Sequence, residues 1–474
     1  MTGQICFLLN DRQVCTSQAP GVSVLTYLRQ AERLIGTKEG CREGACGACT
    51  VLLGELDGEQ VSYKVVPACL LLLGELPGKH LVTIEGLNQA QLSLVQNALV
   101  DFGATQCGFC TPGIVVSLTG YLLAGGTDIS VAGIKQALSG HLCRCTGYAA
   151  LQRASAALVR FISQHSHASI SDLIALTLLP DYFQTIPARL RQLPKTPSDN
   201  GQTSPEFWIA GGTDLCVQSG PRLASAPVRF LSQFREMKGI SRRDGQIHIG
   251  ALTTFAELAV HPVIRQLIPD IQGYMARLAS WQIRQQATVG GNIMGASPIG
   301  DVSNLLVALD ARLILQRDGQ RRTVPLQGFY RGYKDTAQHP GEILIEIVVP
   351  VPDPGVRINV EKVSKRLSVD CASVNSAIAV HCESGIIQTC SLSIGGVAPI
   401  PLFLKQTSAY FQHKPLTKET IQGAFPILQR EIAPISDIRG SAIYKRLLAR
   451  QLLIAHFTQL FPELITVRDF HETH

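Results

Sequence analysis

The first eighty residues read as strands around one helix. Residues 4–9 and 12–17 are apolar-rich runs on either side of Asn10-Asp11, which predicts a strand pair joined by a tight turn. Residues 23–35, SVLTYLRQAERLI, have helical spacing, with Ser23 a candidate N-cap. TVLLGEL, SYKVVPA and HLVTIE read as further strands. From residue 90 the period becomes helical, over 90–102, 112–124, 130–139 and 148–164.

Between 165 and 205 the pattern breaks. Pro180, Pro187, Pro194, Pro197 and Pro205 punctuate a segment that reads as a connection between domains, flexible near 195–205. Beyond it come a strand-like WIA, a helical stretch over 272–286, the strands NVEKVS, SAIAVHCE and GIIQTCSLSIGGV, and helices over 417–431 and 439–460. These shifts predict an α+β multidomain chain, divided at 1–85, 86–165, a 166–204 linker, 205–352 and 353–474. At roughly 150 residues per domain, a length of 474 points the same way.

Charged residues are only 16% of the chain and hydrophobic ones 46%, which excludes a disordered protein. No apolar run approaches the roughly 18 residues of a membrane span, and the N-terminus does not read as a signal peptide, so a cytoplasmic protein is expected. A net charge of +6 is too small on this length to argue for nucleic acid. Basic and acidic residues balance at 11 each through residue 165, so the excess lies in the remainder, where it suits anionic phosphates or ordinary surface chemistry.

The 14 cysteines carry the strongest signal. Without a secretion signal, a disulfide framework is not expected. Eight of them form two quartets. Cys41, Cys46, Cys49 and Cys69 follow C-x4-C-x2-C with one distant partner, the spacing of plant-type [2Fe–2S] ferredoxins. Three cysteines on one tight loop wrap a small cluster and a fourth closes it. Gly40, Gly44 and Gly47 let the backbone curl so that N–H groups face sulfur. With the strands around it, this predicts a β-grasp ferredoxin-like domain. Zinc more often takes C-x2-C pairs.

Cys107 and Cys110 pair with Cys143 and Cys145 as C-x2-C and C-x-C, a spacing that by itself leaves zinc and iron–sulfur open. Thr111-Pro112 and Thr146-Gly147 read as helix starts after each pair, where a helix N-terminus favours an anionic cluster. That suggests a four-helix [2Fe–2S] domain. Cys6, Cys15, Cys216, Cys371, Cys382 and Cys390 have no ligand spacing and read as buried thiols.

The set CREGACGACT, QCGFCTPG and LCRCTGY closely resembles the iron–sulfur part of the molybdenum hydroxylases, the family that oxidises xanthine and aldehydes. The resemblance implies a second [2Fe–2S] cluster near the molybdopterin and a ferredoxin-like one nearer a flavin. It also matches Gln106 to a glutamine that touches the pterin; backbone capping is the other reading of Gln106.

Two loops farther on are weak alone. WIAGGTDL, residues 208–215, puts Gly211-Gly212 after a strand, with Thr213 a hydroxyl donor to phosphate. ATVGGNIMGASPIGD, residues 287–301, offers backbone N–H groups, the Asn292 amide and Asp301 as an acceptor for ribose or flavin-tail hydroxyls. Together they resemble the family's FAD-binding domain, of the vanillyl-alcohol-oxidase type. The resemblance maps a first FAD loop onto Trp208, Ile209, Ala210, Gly211, Gly212, Thr213, Asp214 and Leu215. It maps a second onto Thr288, Val289, Gly290, Gly291 and Asn292. It places Asp301 on the FAD tail, Leu278 and Leu344 beside the cofactor, and Lys362 near the flavin, where an ammonium would stabilise the reduced anion. Tyr333, in GFYRGYK, resembles a residue that shields the flavin or meets nicotinamide; a half-buried core tyrosine is the other reading. The family often has two acids after S-K-R. Here SKRLSVDC has Ser368 in place of the first and keeps only Asp370, so the acceptor is less defined than the flavin. The remainder resembles the family's small α+β C-terminal flavoprotein domain.

No stretch remains for a molybdopterin domain. The resemblance therefore implies a small iron–sulfur/FAD subunit with a large molybdopterin-binding partner, in a heterotetramer of two small and two large chains. Electrons from hypoxanthine or xanthine oxidation to urate would pass through both clusters to FAD and then NAD. The same role with an aldehyde, nicotinate or another heterocycle is the near alternative. A standalone flavin–iron–sulfur NADH reductase and a cluster-based redox sensor are the alternatives of other classes. The first would turn over NADH without a partner, and the second would need a nucleic-acid-binding module, for which there is no signal.

Overall fold

The computed structural model describes residues 4–124, 129–167, 169–194 and 205–470. The chain divides into two compact units, Met1–Gln233 with Ala279–Gln286, and Phe234–Leu278 with Ala287–His474.

The first unit begins with the expected hairpin, β1 (Ile5–Leu9) and β2 (Arg12–Thr16), turning at Asn10 in the left-handed region. Ser23 caps α1 (Val24–Gln30), its hydroxyl accepting from Thr26 N–H at 3.3 Å. The helix stops short of residue 35, and Arg33 has a positive φ of 58°. β3 (Thr50–Asp57), β4 (Gln60–Pro67) and β5 (His80–Val82) complete a mixed sheet in the order β2-β1-β5-β3-β4, with β1 and β5 parallel. Phe7, Leu28, Val51 and Leu81 are fully buried in its core.

Cys6 and Cys15 stand directly opposite each other on the hairpin and form a disulfide, with Cα atoms 4.1 Å apart. This corrects their reading as thiols: antiparallel register brought together two cysteines that nothing in their spacing linked. The other cysteines of the described residues are free.

The four expected helices follow as α2 (Leu94–Asp101), α3 (Thr111–Ala124), α4 (Val131–Leu138) and α5 (Ala149–Ile162). Ser93 and Gln96 form a capping box on α2, and Ser130 caps α4. Thr146-Gly147 does not start α5 as expected. Tyr148 occupies the cap with φ 66° and no side-chain cap bond, while the Thr146 hydroxyl lies 3.1 Å from Cys143 Sγ.

The 166–204 segment was expected to be a linker, but its described residues 169–194 are folded. They form helices Ile170–Ala175 and Ile186–Gln192. Leu173, Leu179 and Phe183 enter the helical core, and Ile186 and Leu190 pack with Leu8. The prolines misled here because Pro187 sits in the first turn of a helix, where the ring is tolerated. The stretch expected to be flexible lies almost wholly outside the described residues. Strands Phe207–Ile209 and Val228–Phe230, paired in parallel, and the helix Leu215–Leu223 close this unit. The stretch 205–352, read as one domain, is thus shared between the units.

The second unit holds two five-stranded sheets, besides the short pair Tyr330–Gly332 and Asp335–Thr336. One runs Gln320–Pro325, Arg312–Arg317, Ile343–Pro350, Gln246–Gly250, Ile240–Arg243, all antiparallel. The other is built on Val356–Val363, Val374–Glu383 and Ile386–Gly395. Helices Lys418–Glu431 and Ala442–Leu460, capped by Thr417 and Ser441, bury Leu428, Leu452 and Phe457 with Ile378 and Leu392. The helix expected over 272–286 is interrupted. It forms Ile271–Ala276 and Trp281–Arg284, split at Ala279 (φ 49°) and restarted by Ser280 as a new N-cap. Its second half belongs to the first unit. Among the described residues no helix is long and apolar enough to cross a membrane.

Candidate functional site

All eight cysteines of the two quartets lie in the first unit. In the loop before β3 the backbone turns through positive φ at Gly44 and Gly47. Glu43 and Ala45 donate N–H bonds to Cys41 Sγ at 3.4 and 3.3 Å. The thiols meet in pairs, Cys41 with Cys46 and Cys49 with Cys69. The hydrogen bond from Cys46, aided by N–H groups of residues 43, 45 and 46, pulls the Cys41 thiol down to about 5, and Cys46 is pushed up by the same bond. Cys49 is likewise lowered by its bond with Cys69, and Cys69 raised.

The second quartet pairs Cys107 with Cys145, and Cys110 with Cys143. Cys110 stands at the start of α3, where Ile114 N–H donates to its carbonyl at 3.1 Å. Burial, then Cys143, pushes the Cys110 thiol up to about 12. Burial opposes ionisation of Cys143, but the Thr146 hydroxyl and N–H and the Cys110 bond hold its thiol below the ordinary value. Cys107 and Cys145 are exposed.

Two thiols per position, each pair poised to lose a proton, with N–H groups turned toward sulfur, are what a two-iron cluster asks of its ligands. The residues therefore fit such a cluster at each quartet. Among the described residues no three His, Cys, Asp or Glu side chains converge on a single ion.

The quartets are joined through backbone. Leu142 N–H donates to the Cys46 carbonyl at 3.0 Å, one residue before Cys143. The contact needs two glycines. A Cβ on Gly47 would lie 2.4 Å from His141 Nδ1, and one on Gly113 2.3 Å from the Gly47 carbonyl. His141 is buried, its Nε2 2.9 Å from Gln282 Nε2, and Gln282 also donates to Ser117 Oγ and the Ala137 carbonyl at 3.0 Å. No sequence signal pointed to Gln282; its partner Ser117 is 165 residues away. Gln106 is exposed.

The loop 208–215 also lies in this unit. Gly212 has φ 68°, and its carbonyl accepts from Cys216 N–H at 2.8 Å to start the following helix. Trp208 stacks under the Arg229 guanidinium, 5.3 Å from the ring centroid.

The other flavin candidates lie in the second unit. Here the loop 288–292 spends its donors internally. Val289 and Gly290 donate to the Thr253 and Ala251 carbonyls at 2.9 and 2.8 Å, and Gly291 to Thr288 Oγ1 at 3.0 Å. Asn292 Oδ1 accepts from Ser303 N–H and Oγ at 3.0 and 2.9 Å. Asp301 is also engaged, by Lys362 Nζ at 2.9 Å and by Asn375 Nδ2 at 2.7 Å. Lys362 is thus buried, not a surface lysine. Asn375 was missed in the sequence because an asparagine inside an apolar strand carries no spacing motif. Leu278 and Leu344 are buried, while Tyr333 is 68% exposed. Asp370 turns back to accept from Arg366 N–H at 3.0 Å.

Four domain families match in order. Residues 7–73 match a 2Fe-2S iron-sulfur cluster binding domain, and 83–156 a [2Fe-2S] binding domain. Residues 185–352 match the FAD binding domain in molybdopterin dehydrogenase, and 360–460 the CO dehydrogenase flavoprotein C-terminal domain. The chain belongs to the molybdenum hydroxylase family. It is a multidomain α+β chain whose segments match two [2Fe–2S]-binding domains, an FAD-binding domain and a C-terminal domain. Similar proteins include a xanthine dehydrogenase of Drosophila pseudoobscura pseudoobscura, 27% identical over 98% of this chain and 40% of that protein. A xanthine dehydrogenase/oxidase of Mus musculus is 28% identical over 97% of this chain and 39% of its own length. The chain thus spans about two fifths of the curated relatives it matches. A solved CO dehydrogenase from Hydrogenophaga pseudoflava is similar at 27% identity and TM-score 0.52, covering 55% of this chain and 90% of its own. The reconstituted CO dehydrogenase from Oligotropha carboxidovorans is similar at 29% identity and TM-score 0.50, covering 52% of this chain and 86% of its own.

Proposed function

We propose that this chain is the electron-transfer part of a cytoplasmic xanthine dehydrogenase. In this reading Cys107, Cys110, Cys143 and Cys145 hold one [2Fe–2S] cluster and Cys41, Cys46, Cys49 and Cys69 the other. The FAD-binding reading is kept for the loop 208–215 of the first unit and, by itself, for residues of 288–292 with Leu278, Asp301, Leu344 and Lys362 of the second. A large chain carries the molybdopterin, in a heterotetramer of two small and two large chains, and NAD is the final acceptor. The substrate assignment rests on similarity to proteins named xanthine dehydrogenase in fly and plant.

The observation that carries the relay is the Leu142 N–H bond to the Cys46 carbonyl. It ties a quartet with Cys49 and Cys69 buried and Cys41 and Cys46 half-buried to one whose Cys107 and Cys145 are exposed, so a partner can approach the second from its exposed side. When bound, the clusters would supply one-electron steps and FAD the pairing of electrons for NAD. The chain's residues orient sulfur, neutralise charge with N–H groups, and keep the Cys49 and Cys69 side from water. Lys362, with Asp301 as counter-ion, would place positive charge beside a reduced flavin.

Cofactor analysis of the purified native complex tests this. About four irons and one FAD on this chain, with molybdenum on a larger co-purifying chain that oxidises xanthine, supports the proposal. Flavin and iron with no partner and no molybdenum would favour a standalone NADH reductase. Zinc in the quartets would end the relay reading.

A further inference from the structure

Gln286 stands outside every motif of the sequence, yet within the first unit it joins two parts of the proposed relay. Its Nε2 donates to the Leu70 carbonyl at 2.8 Å and to the Gly211 carbonyl at 2.7 Å. Leu70 directly follows the ligand Cys69, and Gly211 is the first glycine of the first flavin loop. The Leu70 carbonyl also accepts from Cys216 Sγ at 3.4 Å, and a Cβ on Gly212 would lie 3.8 Å from it. The flavin loop is thus pressed against the residue beside the cluster ligand, and a single amide bonds both backbones.

We propose that Gln286 is a positioning residue for electron transfer, the hydrogen-bonded bridge from the Cys69 side of the inner cluster to the Gly211-Gly212 loop. The inference rests on the reading of these cysteines and of this loop as cluster and flavin ligands. A covalent and hydrogen-bonded route carries electronic coupling farther than a gap across space. The route runs from Cys69 Sγ along its own backbone to the Leu70 carbonyl, across Gln286 Nε2, and into the Gly211 peptide. With cluster and flavin bound, each passage would carry one electron, lost by one ferrous iron of the Cys41/Cys46/Cys49/Cys69 cluster and gained by the flavin. Gln286 is neither oxidised nor reduced.

A leucine preserves much of the volume of Gln286 and removes both donors. Asparagine keeps the amide but is one methylene shorter, so it cannot span both carbonyls. In the intact holoenzyme, a one-electron reductant generated by a laser flash is admitted at the exposed outer cluster, and the rise of reduced flavin is followed by absorbance. FAD content and the electron paramagnetic resonance signals of both clusters are recorded beside it. Gln286→Leu is expected to slow the cluster-to-flavin step by about tenfold or more, within what small misplacements cost in other reactions, with Gln286→Asn between it and the native rate. Cys216→Ala, which leaves the Gln286 bridge in place, should transfer at nearly the native rate. A fully loaded Gln286→Leu enzyme that transfers at the native rate overturns the proposal. If that variant loses a cofactor, Gln286→Asn decides, and a native rate in it overturns the proposal equally. Failure of the underlying reading shows separately, as native enzyme without FAD or without the inner cluster's signal.

Discussion

Lys362 Nζ lies 2.9 Å from Asp301 Oδ2, with the lysine side chain 1% and the aspartate 14% exposed. Asn375 holds the other carboxylate oxygen at 2.7 Å, so Asp301 is locked from two sides. Removing one partner of such a pair strands a buried charge. Asp301→Ala should therefore destabilise the second unit by about 3–5 kcal/mol and lower FAD content, while both cluster signals persist. Asp301→Asn combined with Lys362→Met should recover part of the stability, because neither charge remains. Urea unfolding and flavin content of the two variants and the native protein check this. Equal stability of Asp301→Ala and the native protein would remove the pair from the account.

Cys110 opens α3 from inside the helical core, and its loss should be local. Cys110→Ser is expected to abolish one cluster's paramagnetic signal and leave the other and the FAD in place. Loss of FAD to the same degree would show that the iron–sulfur and flavin parts do not load independently.

His456 is fully buried between Asn359 Nδ2 at 3.0 Å and Ser376 Oγ at 2.9 Å. Burial pushes its pKa from 6.5 down to about 3. The folded state then refuses a proton that the unfolded chain accepts. Stability is unaffected well above pH 6.5 and falls as pH drops from 6.5 toward 3, by up to about 1.4 kcal/mol per unit for this one group. His456→Gln should flatten that part of the profile. His80, pushed down to about 4 by burial, keeps its own contribution. Denaturation midpoints from pH 7.5 to 5 in both proteins measure the difference; parallel profiles would contradict the assignment.

Gly47 has φ 70°, and a Cβ there would lie 2.4 Å from His141 and 2.7 Å from the Gly140 carbonyl. Gly47→Ala should disturb both quartets at once, broadening or removing both cluster signals. Gly103 also has positive φ but open space around it, so Gly103→Ala should leave both signals intact. A signal change in both variants would point to backbone strain alone, not to the packed contact.

The ferredoxin-like sheet and the helical domain were legible because their signals are local. The Ser23 cap and the C-x4-C-x2-C, C-x2-C and C-x-C spacings are patterns within a few residues. What the sequence hid depends on distant contacts. The Cys6–Cys15 bridge follows from strand register. The break at Ala279 lies beside Gln282 and Gln286, which find their partners at the distant residues Ser117, Leu70 and Gly211. The loops 208–215 and 288–292 stood out as glycine motifs, but the internal engagement of Asn292 and Asp301 did not, since Ser303, Lys362 and Asn375 are remote in sequence or carry no pattern.

Ala279–Gln286 leaves the second unit's stretch of sequence to complete the first, and this bears on how the chain is made. During synthesis the first unit cannot gain its Gln282 bonds to Ser117 and Ala137 until the ribosome has passed residue 286, well into the sequence of the second. The iron–sulfur part is therefore not a module that can be cut out with a single incision. A gene fragment ending between residues 146 and 278 would contain both cysteine quartets but lack the glutamines that brace the loops around them.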